Sequence, residues 1–559
     1  FLVVTYRELR LLELEVLKRL LATDKKTGEL KGVQAVLNLS ELLKVEVDQM
    51  HGIEIEEWPA RIAEVAMWLI DHQMNQKVGE AFGTPVLRLP LKKSAKIAVA
   101  NALRIDWNDV LPAKRCSYVL GNPPFVGKHL MTPAQSEDMD LVWSGLKDSG
   151  FLDYVTGWYR IASKYIKGTE IRCAFVSTNS ICQGEQAGIF WPEMFRSGVK
   201  IHFGHRTFQW MSEARGKAHV HVVIVGFGIG DRPGKIVYDY EKIDGDPIRV
   251  PATNISPYLV QGPDVALPIR RRPLCEVPEI VNGNKPADGG HLIVESAHKA
   301  ALLLENPTIA PYVRKFVCAD EFLNGQERWV LWLEDAPPNV LRDCPGVLRR
   351  IEAVKQFRLA SAKESTRRRA ERPAMFDQIR QPTERYVLIP RHSSENRKYI
   401  PFAYFEPGII IGDSCTAVPG ATPYHFGVLT SEMHMAWVRQ VCGRLKSDFR
   451  YSNKLVYNNF PWPQDLSDKH RATVEAAAQA VLDARAQFQG QTLADLYDPL
   501  AMPKALRDAH KALDKAVDKC YRSAPFTSER QRVEYLFELY QKLSAPLTAP
   551  ARPRRRRAT

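Results

Sequence analysis

Asn122-Pro123-Pro124-Phe125 is the stretch of this 559-residue sequence whose residue types and order could do chemistry. It ends the apolar run Tyr118-Val119-Leu120-Gly121, which is long enough for one buried strand. Two prolines remove two backbone donors and forbid helix, so the loop behind that strand is stiff and extended. At the carboxyl end of an α/β strand, such a loop lies where these sheets bind ligands. The Asn122 amide both donates and accepts, the Pro123 carbonyl is a free acceptor, and Phe125 offers a flat apolar face. Those groups suit an extruded nucleobase, whose edge needs hydrogen bonds and whose face needs a stack. Asn-Pro alone would favour an ordinary turn, but the second proline and the aromatic directly behind it make the pattern more specific.

Two further candidates with acids lie upstream of that loop. Val47 to Glu56 reads as a short strand ending in acids, and Trp58-Pro59 then opens a helix with proline at its first position. A carboxylate at the tip of such a strand can take both hydroxyls of a ribose, and a solvated acidic cap on the next helix is an equal alternative. Asp106-Trp107 follows the short apolar piece Ala102 to Ile105. The alternation of strand and helix up to Asn122 predicts a doubly wound α/β sheet. A covering helix over Tyr154 to Ile166, a buried strand Cys173 to Thr178 and a helix containing Phe190 to Phe195 continue it. Lys200 to Phe203 and His219 to Phe227 close it, with Phe208 after a short turn. Gly226-x-Gly228-x-Gly230 is not read as a nucleotide loop, since Asp-Arg-Pro-Gly and another strand-like run follow instead of a helix. His219 and His221 alternate with valines and read as structural.

From about Tyr240 prolines cluster and helical periodicity fades, so a boundary is expected there. Residues 295 to 460 mix short strands with a basic stretch containing Arg349, Arg350, Arg367, Arg368 and Arg369 at mostly helical spacing. Its scarcity of neighbouring acids favours phosphate contact over a solvated helix face. Ser393 to Lys398, polar and flanked by basic residues, suits base reading from a loop through Ser394, Glu395, Arg397 and Lys398. From Asp465 onward the sequence is helical in pattern, with His510 on an apolar stripe as a core histidine, and the Arg-rich end is expected to be disordered. The net charge of +13 suggests a polyanionic partner. Nine scattered cysteines without a Cys-x-x-Cys pair argue against a zinc site or a disulfide framework and for a reducing cytoplasm. No apolar stretch reaches the ~18 residues of a membrane span.

Taken in order, the acid-tipped strand, Asp-Trp, Asn-Pro-Pro-Phe and the long segment behind them resemble the gamma-type adenine-specific DNA methyltransferases. More closely, the sequence resembles the single-chain restriction–modification enzymes of the MmeI kind. The matching stretches are Tyr118 to Gly127, Phe208-Gln-Trp with His219 to Phe227, Ser393 to Pro401, Gly443 to Ser452 and Tyr457-Asn-Asn-Phe-Pro-Trp-Pro463. The resemblance implies a class I, Rossmann-like methyltransferase domain over 1–240, a mixed α/β target-recognition domain over 241–463, a helical region over 464–545 and a basic tail over 546–559. It implies S-adenosylmethionine as methyl donor and double-stranded DNA as partner. Glu54, with Ile55 beside it, would hold the ribose of the donor; Asp106 would bond its adenine amino group, with Trp107 against the ring. Asn122 and the Pro123 carbonyl would bind the target amino group next to the donor, with Pro124 stiffening the loop. Phe125 would stack on the flipped adenine and Phe208 would close its other face.

The family's glycine-rich donor loop stands just before a Phe-Leu that begins a helix, and Phe1-Leu2 opens this sequence. The expectation is therefore a fragment, without that loop and without the upstream nuclease domain. The rival readings are a catalytically inactive DNA-binding remnant and a methyltransferase acting on RNA or on a protein glutamine; the long basic region speaks against the last two.

Overall fold

The computed structural model describes residues 1–20, 41–83, 86, 94–210, 220–445 and 447–548. The chain divides into two compact units, Phe1–Ile181 with Ile189–Ile255, and Cys182–Gly188 with Ser256–Thr559.

The first unit opens with α1 (Leu2–Leu20), whose Tyr6, Leu14 and Leu17 recur at helical spacing and are buried. After it come β1 (His51–Glu54) and α2 (Glu57–Phe82). α2 buries Met67, Ile70, Met74 and Val78 and stops at Gly83, which takes the left-handed backbone (φ 67°) that a side chain would strain. Glu57, not Pro59, is its first residue, so the proline sits at the third position; any place in the first turn spares a hydrogen bond. Tyr6 donates to Asp71 Oδ1 at 2.6 Å and Arg10 to Asn75 Oδ1 at 2.8 Å, locking α1 to α2. β2 (Lys96–Val99) lies parallel to β1. The strand before Asp106 is thus β2, and Asn101 to Ile105 is a turn whose Arg104 and Ile105 amides both donate to Asn101 O.

α3 (Trp107–Val110), β3 (Tyr118–Gly121), α4 (Pro133–Val142), α5 (Thr156–Tyr165), β4 (Arg172–Thr178) and α6 (Gly184–Arg196) follow. β5 (Val199–Trp210), β6 (Val220–Ile229), β7 (Lys235–Asp239) and β8 (Ile248–Ala252) complete the unit. The six-stranded sheet has the order β3-β4-β6-β5-β7-β8. β3 and β4 are parallel, with Gly121 opposite Phe175, while β6 runs antiparallel to both β4 and β5. Tyr159 of α5 stacks on Phe227 at 5.2 Å and meets Phe175 and Phe190 edge-on, and its hydroxyl reaches Ser177 at 2.8 Å. Gly226 lies under the Phe203 ring, where a Cβ would sit 2.0 Å from Cε1, so the glycine run serves sheet packing. Phe208 follows no turn: β5 is continuous and carries irregularities at Ile201/Phe203 and His205/Phe208, which shift the side-chain alternation that periodicity relies on. His219 lies outside the described residues.

The second unit contains two four-stranded sheets and one of three strands. The helices Pro423–Thr430, Glu432–Val441, Asp468–Ala486, Lys504–Tyr521 and Glu529–Thr548 pack with one another, so the C-terminal helices share this unit with the strands before them. His510 is buried as expected, stacked 4.1 Å from Tyr399 and bonded to Tyr497 Oη at 2.8 Å, and burial holds its pKa well below the usual histidine range. Asn459 is fully buried: its amide donates to Pro268, Lys454 and Leu455 carbonyls, and its Oδ1 accepts from Arg270 and Tyr540. The Asn-Asn-Phe-Pro-Trp-Pro stretch is therefore a structural knot. The end of the Arg-rich tail, 549–559, lies outside the described residues.

Candidate active site

The loop behind β3 keeps its polar groups to spare. Asn122 is exposed and Pro123 buried, and Phe125 is half-buried. Among the described residues neither the Asn122 amide nor the Pro123 carbonyl has a hydrogen-bond partner; only the Pro124 carbonyl is used, by Val126 N–H at 3.1 Å. β3 delivers Asn122 at its carboxyl end, and the prolines keep the chain from curling back to satisfy it. A stiff loop ending in an unpaired amide is what an incoming hydrogen-bonding edge requires.

Glu54 stands at the tip of β1 with its Oε1 accepting Ile55 and Glu56 N–H at 2.9 and 3.2 Å. Ile55 beside it is 61% exposed, an apolar surface next to a carboxylate with its second oxygen unpartnered among the described residues. Asp106 caps α3: its Oδ1 accepts both the backbone and the side-chain N–H of Asn108, which holds its pKa below the usual carboxylate value and keeps it ionised. Its second oxygen likewise has no partner among the described residues. Trp107 is a different case. It is 8% exposed, its indole donates to Ala102 O at 2.9 Å, and its ring meets Tyr165 edge-on at 5.6 Å.

Two acids that periodicity gives no reason to single out organise this region. Asp138 of α4 is buried and accepts from Asn101 at 2.9 Å, from Tyr154 Oη at 2.7 Å and from Arg104, so it fixes the turn leading to Asp106. Asp153 accepts the Lys128 N–H and the Ser180 hydroxyl. Both stand 25 or more positions from a partner. Phe208 stacks on Tyr240 at 5.1 Å, and Tyr240 Oη is 2.7 Å from His205 Nδ1. Burial lowers the His205 pKa to about 4, so the ring is neutral at physiological pH.

In the second unit, Ser393 pairs with Phe449 in the three-stranded sheet. Ser394, Glu395 and Arg397 are half-buried and Lys398 is exposed. Glu395 N–H donates to Asp448 and its carboxylate lies 3.6 Å from Arg444. Arg397 donates one N–H to Ser393 Oγ at 3.3 Å, and Lys398 lies 4.0 Å from Glu432.

Arg349 and Arg350 fall on the helix Pro345–Leu359, Arg367 and Arg368 on the helix Glu364–Arg368, and Arg369 on the short helical turn Arg369–Glu371. Arg368 pairs with Glu364 at 2.5 Å and Arg369 with Asp377 at 3.6 Å. Arg350 donates to the His291 and Ile293 carbonyls, and Arg367 to those of Ser361 and Ala362. Arg349 has no partner among the described residues and lines a cleft of about 420 Å³.

No group of three His, Cys, Asp or Glu suited to a metal ion occurs among the described residues, and none of their helices is long and apolar enough to cross a membrane. Residues 1–239 match the family model described as MmeI, DNA-methyltransferase domain; 261–464 match MmeI, target recognition domain; 466–548 match MmeI, C-terminal domain. DNA methyltransferase A of Bacillus subtilis (strain 168) is 37% identical over 547 residues, which cover 97% of this chain and 60% of the relative. The chain thus spans about three fifths of that relative's length. The solved structure of the type IIL restriction–modification enzyme MmeI in complex with DNA is 48% identical and superposes with a TM-score of 0.82, covering 98% of this chain and 72% of that one.

Proposed function

We propose, for a chain that belongs to the MmeI family, methyl transfer from S-adenosylmethionine to the 6-amino group of adenine in duplex DNA, as the modification activity of a restriction–modification system of the bacterial cytoplasm. The observation that carries this reading is the exposed Asn122 side-chain amide, delivered by β3 with no hydrogen-bond partner among the described residues. S-adenosylmethionine, when bound, supplies an electrophilic methyl group. Glu54 and Asp106 each keep one carboxylate oxygen for it, which suits the ribose hydroxyls and the adenine amino group of its nucleoside part. The Asn122 side-chain oxygen and the Pro123 carbonyl accept the two N–H groups of the target amine. They hold it in place and draw electron density onto its nitrogen, with the acceptors oriented beforehand. Phe125, and Phe208 with Tyr240 behind it, supply faces for the extruded base.

Recognition is assigned to the second unit. Glu395 accepts from a cytosine amino group and Arg397 donates to guanine, so exchanging either should change which sequence is methylated. The matched relative named as a DNA methyltransferase supports the DNA substrate.

The test is Asn122→Ala in the full chain. Transfer of labelled methyl groups to unmethylated genomic DNA should fall by ~100-fold or more, while DNA affinity holds. Undiminished transfer would overturn the assignment. Binding of labelled S-adenosylmethionine to the unmutated chain separates a live enzyme from a DNA-binding remnant.

A further inference from the structure

The chain leaving the Asn122 loop is tied down by one carboxylate. Asp153, in the turn before α5, accepts the Lys128 backbone N–H on Oδ1 at 3.1 Å and the Ser180 hydroxyl on Oδ2 at 2.7 Å. Ser180 Oγ lies 2.6 Å from Oγ1 of Thr178, the last residue of β4. One side chain therefore joins the segment behind β3 to the segment behind β4, and these two strands are parallel neighbours. The next residue adds a main-chain tie, Tyr154 N–H to Val126 O at 3.0 Å.

α5 has no side-chain cap, and the bonds from Thr156 N–H and Oγ1 go to the Asp153 carbonyl, which fixes the backbone from which the carboxylate projects. The Lys128 ammonium sits over the Phe151 ring at 4.3 Å. The Asn122 loop is thus held at both ends: Gly121 by the β3–β4 ladder, and Val126 to Lys128 by Asp153 and Tyr154. Between the two anchors, the Asn122 side chain has no hydrogen-bond partner among the described residues that would set its own position. Each oxygen of this one side chain holds a different segment, so neither segment moves without breaking a bond to the other's anchor.

We propose that Asp153 is a positioning residue for methyl transfer: it clamps the Asn122 loop so that the Asn122 amide and the Pro123 carbonyl meet the target amino group in line. The proposal rests on the reading of Asn122 given above. It deepens that reading by placing the control of loop geometry in a residue that touches neither base nor donor.

The experiment measures methyl transfer to unmethylated genomic DNA by the full chain carrying Asp153→Ala, Asp153→Asn or Ser180→Ala. Asp153→Ala should lower kcat roughly 10- to 100-fold, the scale of an ångström-sized misplacement, with the KM for DNA changed by less than about twofold. Asp153→Asn keeps an acceptor for the Lys128 N–H and should recover most of the rate. Ser180→Ala removes one arm and should fall between. Equal losses in the Ala and Asn variants, or a change in KM alone, would overturn the clamp. Should Asp153→Ala fail to fold, Ser180→Ala decides, and a wild-type rate there sinks the proposal. Asn122→Ala separates the two claims: intact transfer in that variant defeats the reading of the loop. Lost transfer there, with wild-type kcat in the Asp153 and Ser180 variants, defeats the clamp alone.

Discussion

The Asn122 loop and the arginine stretch of 342–372 are both rich in groups that bind nucleic acid, and the fold treats them in opposite ways. In the loop, the Asn122 amide and the Pro123 carbonyl are left unpaired among the described residues. In the stretch, most guanidinium groups already have partners inside the protein. Arg358 is the extreme: it is 1% exposed, and all five of its N–H donors reach carbonyls, those of Ala287, Pro286, Arg369, Arg372 and Met375. Residue type says which bonds a side chain is able to form. Only the fold says whether it has one left to give.

The sharpest test of that contrast is Arg358→Leu. It strands five carbonyls in a buried site and should lower the stability of the second unit by on the order of 3–5 kcal/mol. Arg358→Lys should rescue little, since an ammonium has three donors and no fork. Urea unfolding of both variants reads this. Near wild-type midpoints would mean that Arg358 is not a structural strut, and the division drawn here between spent and available arginines would fail.

On the open side of the comparison, Phe125→Ala and Phe208→Ala should each weaken hold on the base by ~1–3 kcal/mol, the scale of base–aromatic stacking. A 2-aminopurine at the target position should brighten less in either variant. Phe208 carries the extra stake, because its stack on Tyr240 would be enough for a purely structural role. Unchanged brightening in both would make the two rings core residues.

The strand, the stiff loop and the α/β alternation were legible because each is local, but β3 is not the buried strand its apolar run suggests: it lies at the edge of its sheet with Tyr118 exposed. An apolar run, two prolines and an aromatic act within eight residues, and the acid before α2 lies at the tip of its own strand. Asp138 and Asp153 carry no such mark, since their roles come from partners on other elements. Phe208 was placed after a turn because the bulges in β5 break the alternation that marks a strand. The burial of Trp107 and its edge-on contact with Tyr165 were equally hidden, since Tyr165 lies 58 positions away on α5. Which arginines hold internal partners was hidden for a similar reason: the carbonyls of Pro286, His291 and Ile293 that accept from Arg358 and Arg350 are distant in sequence and leave no mark in composition.

The smallest expected effect divides the arginine stretch within itself. If phosphate contact is made by whichever guanidinium groups remain unpaired, Arg349 is the leading candidate. It lines the cleft of about 420 Å³ beside His291 and His298 with no partner among the described residues. Arg349→Gln should then weaken binding to every DNA sequence alike and flatten the dependence of log K on log salt by roughly one unit. Arg368→Gln should change the slope less, because its charge is shared with Glu364. Arg367 and Arg369 fall between, one bonded to two carbonyls and still exposed, the other 3.6 Å from Asp377. Salt titrations of the four variants on one duplex give the ranking. A slope change that is largest for Arg368→Gln and absent for Arg349→Gln would show that ion-paired arginines let go of their partners on binding DNA. Partnering in the free protein would then be no guide to which residues meet the phosphates.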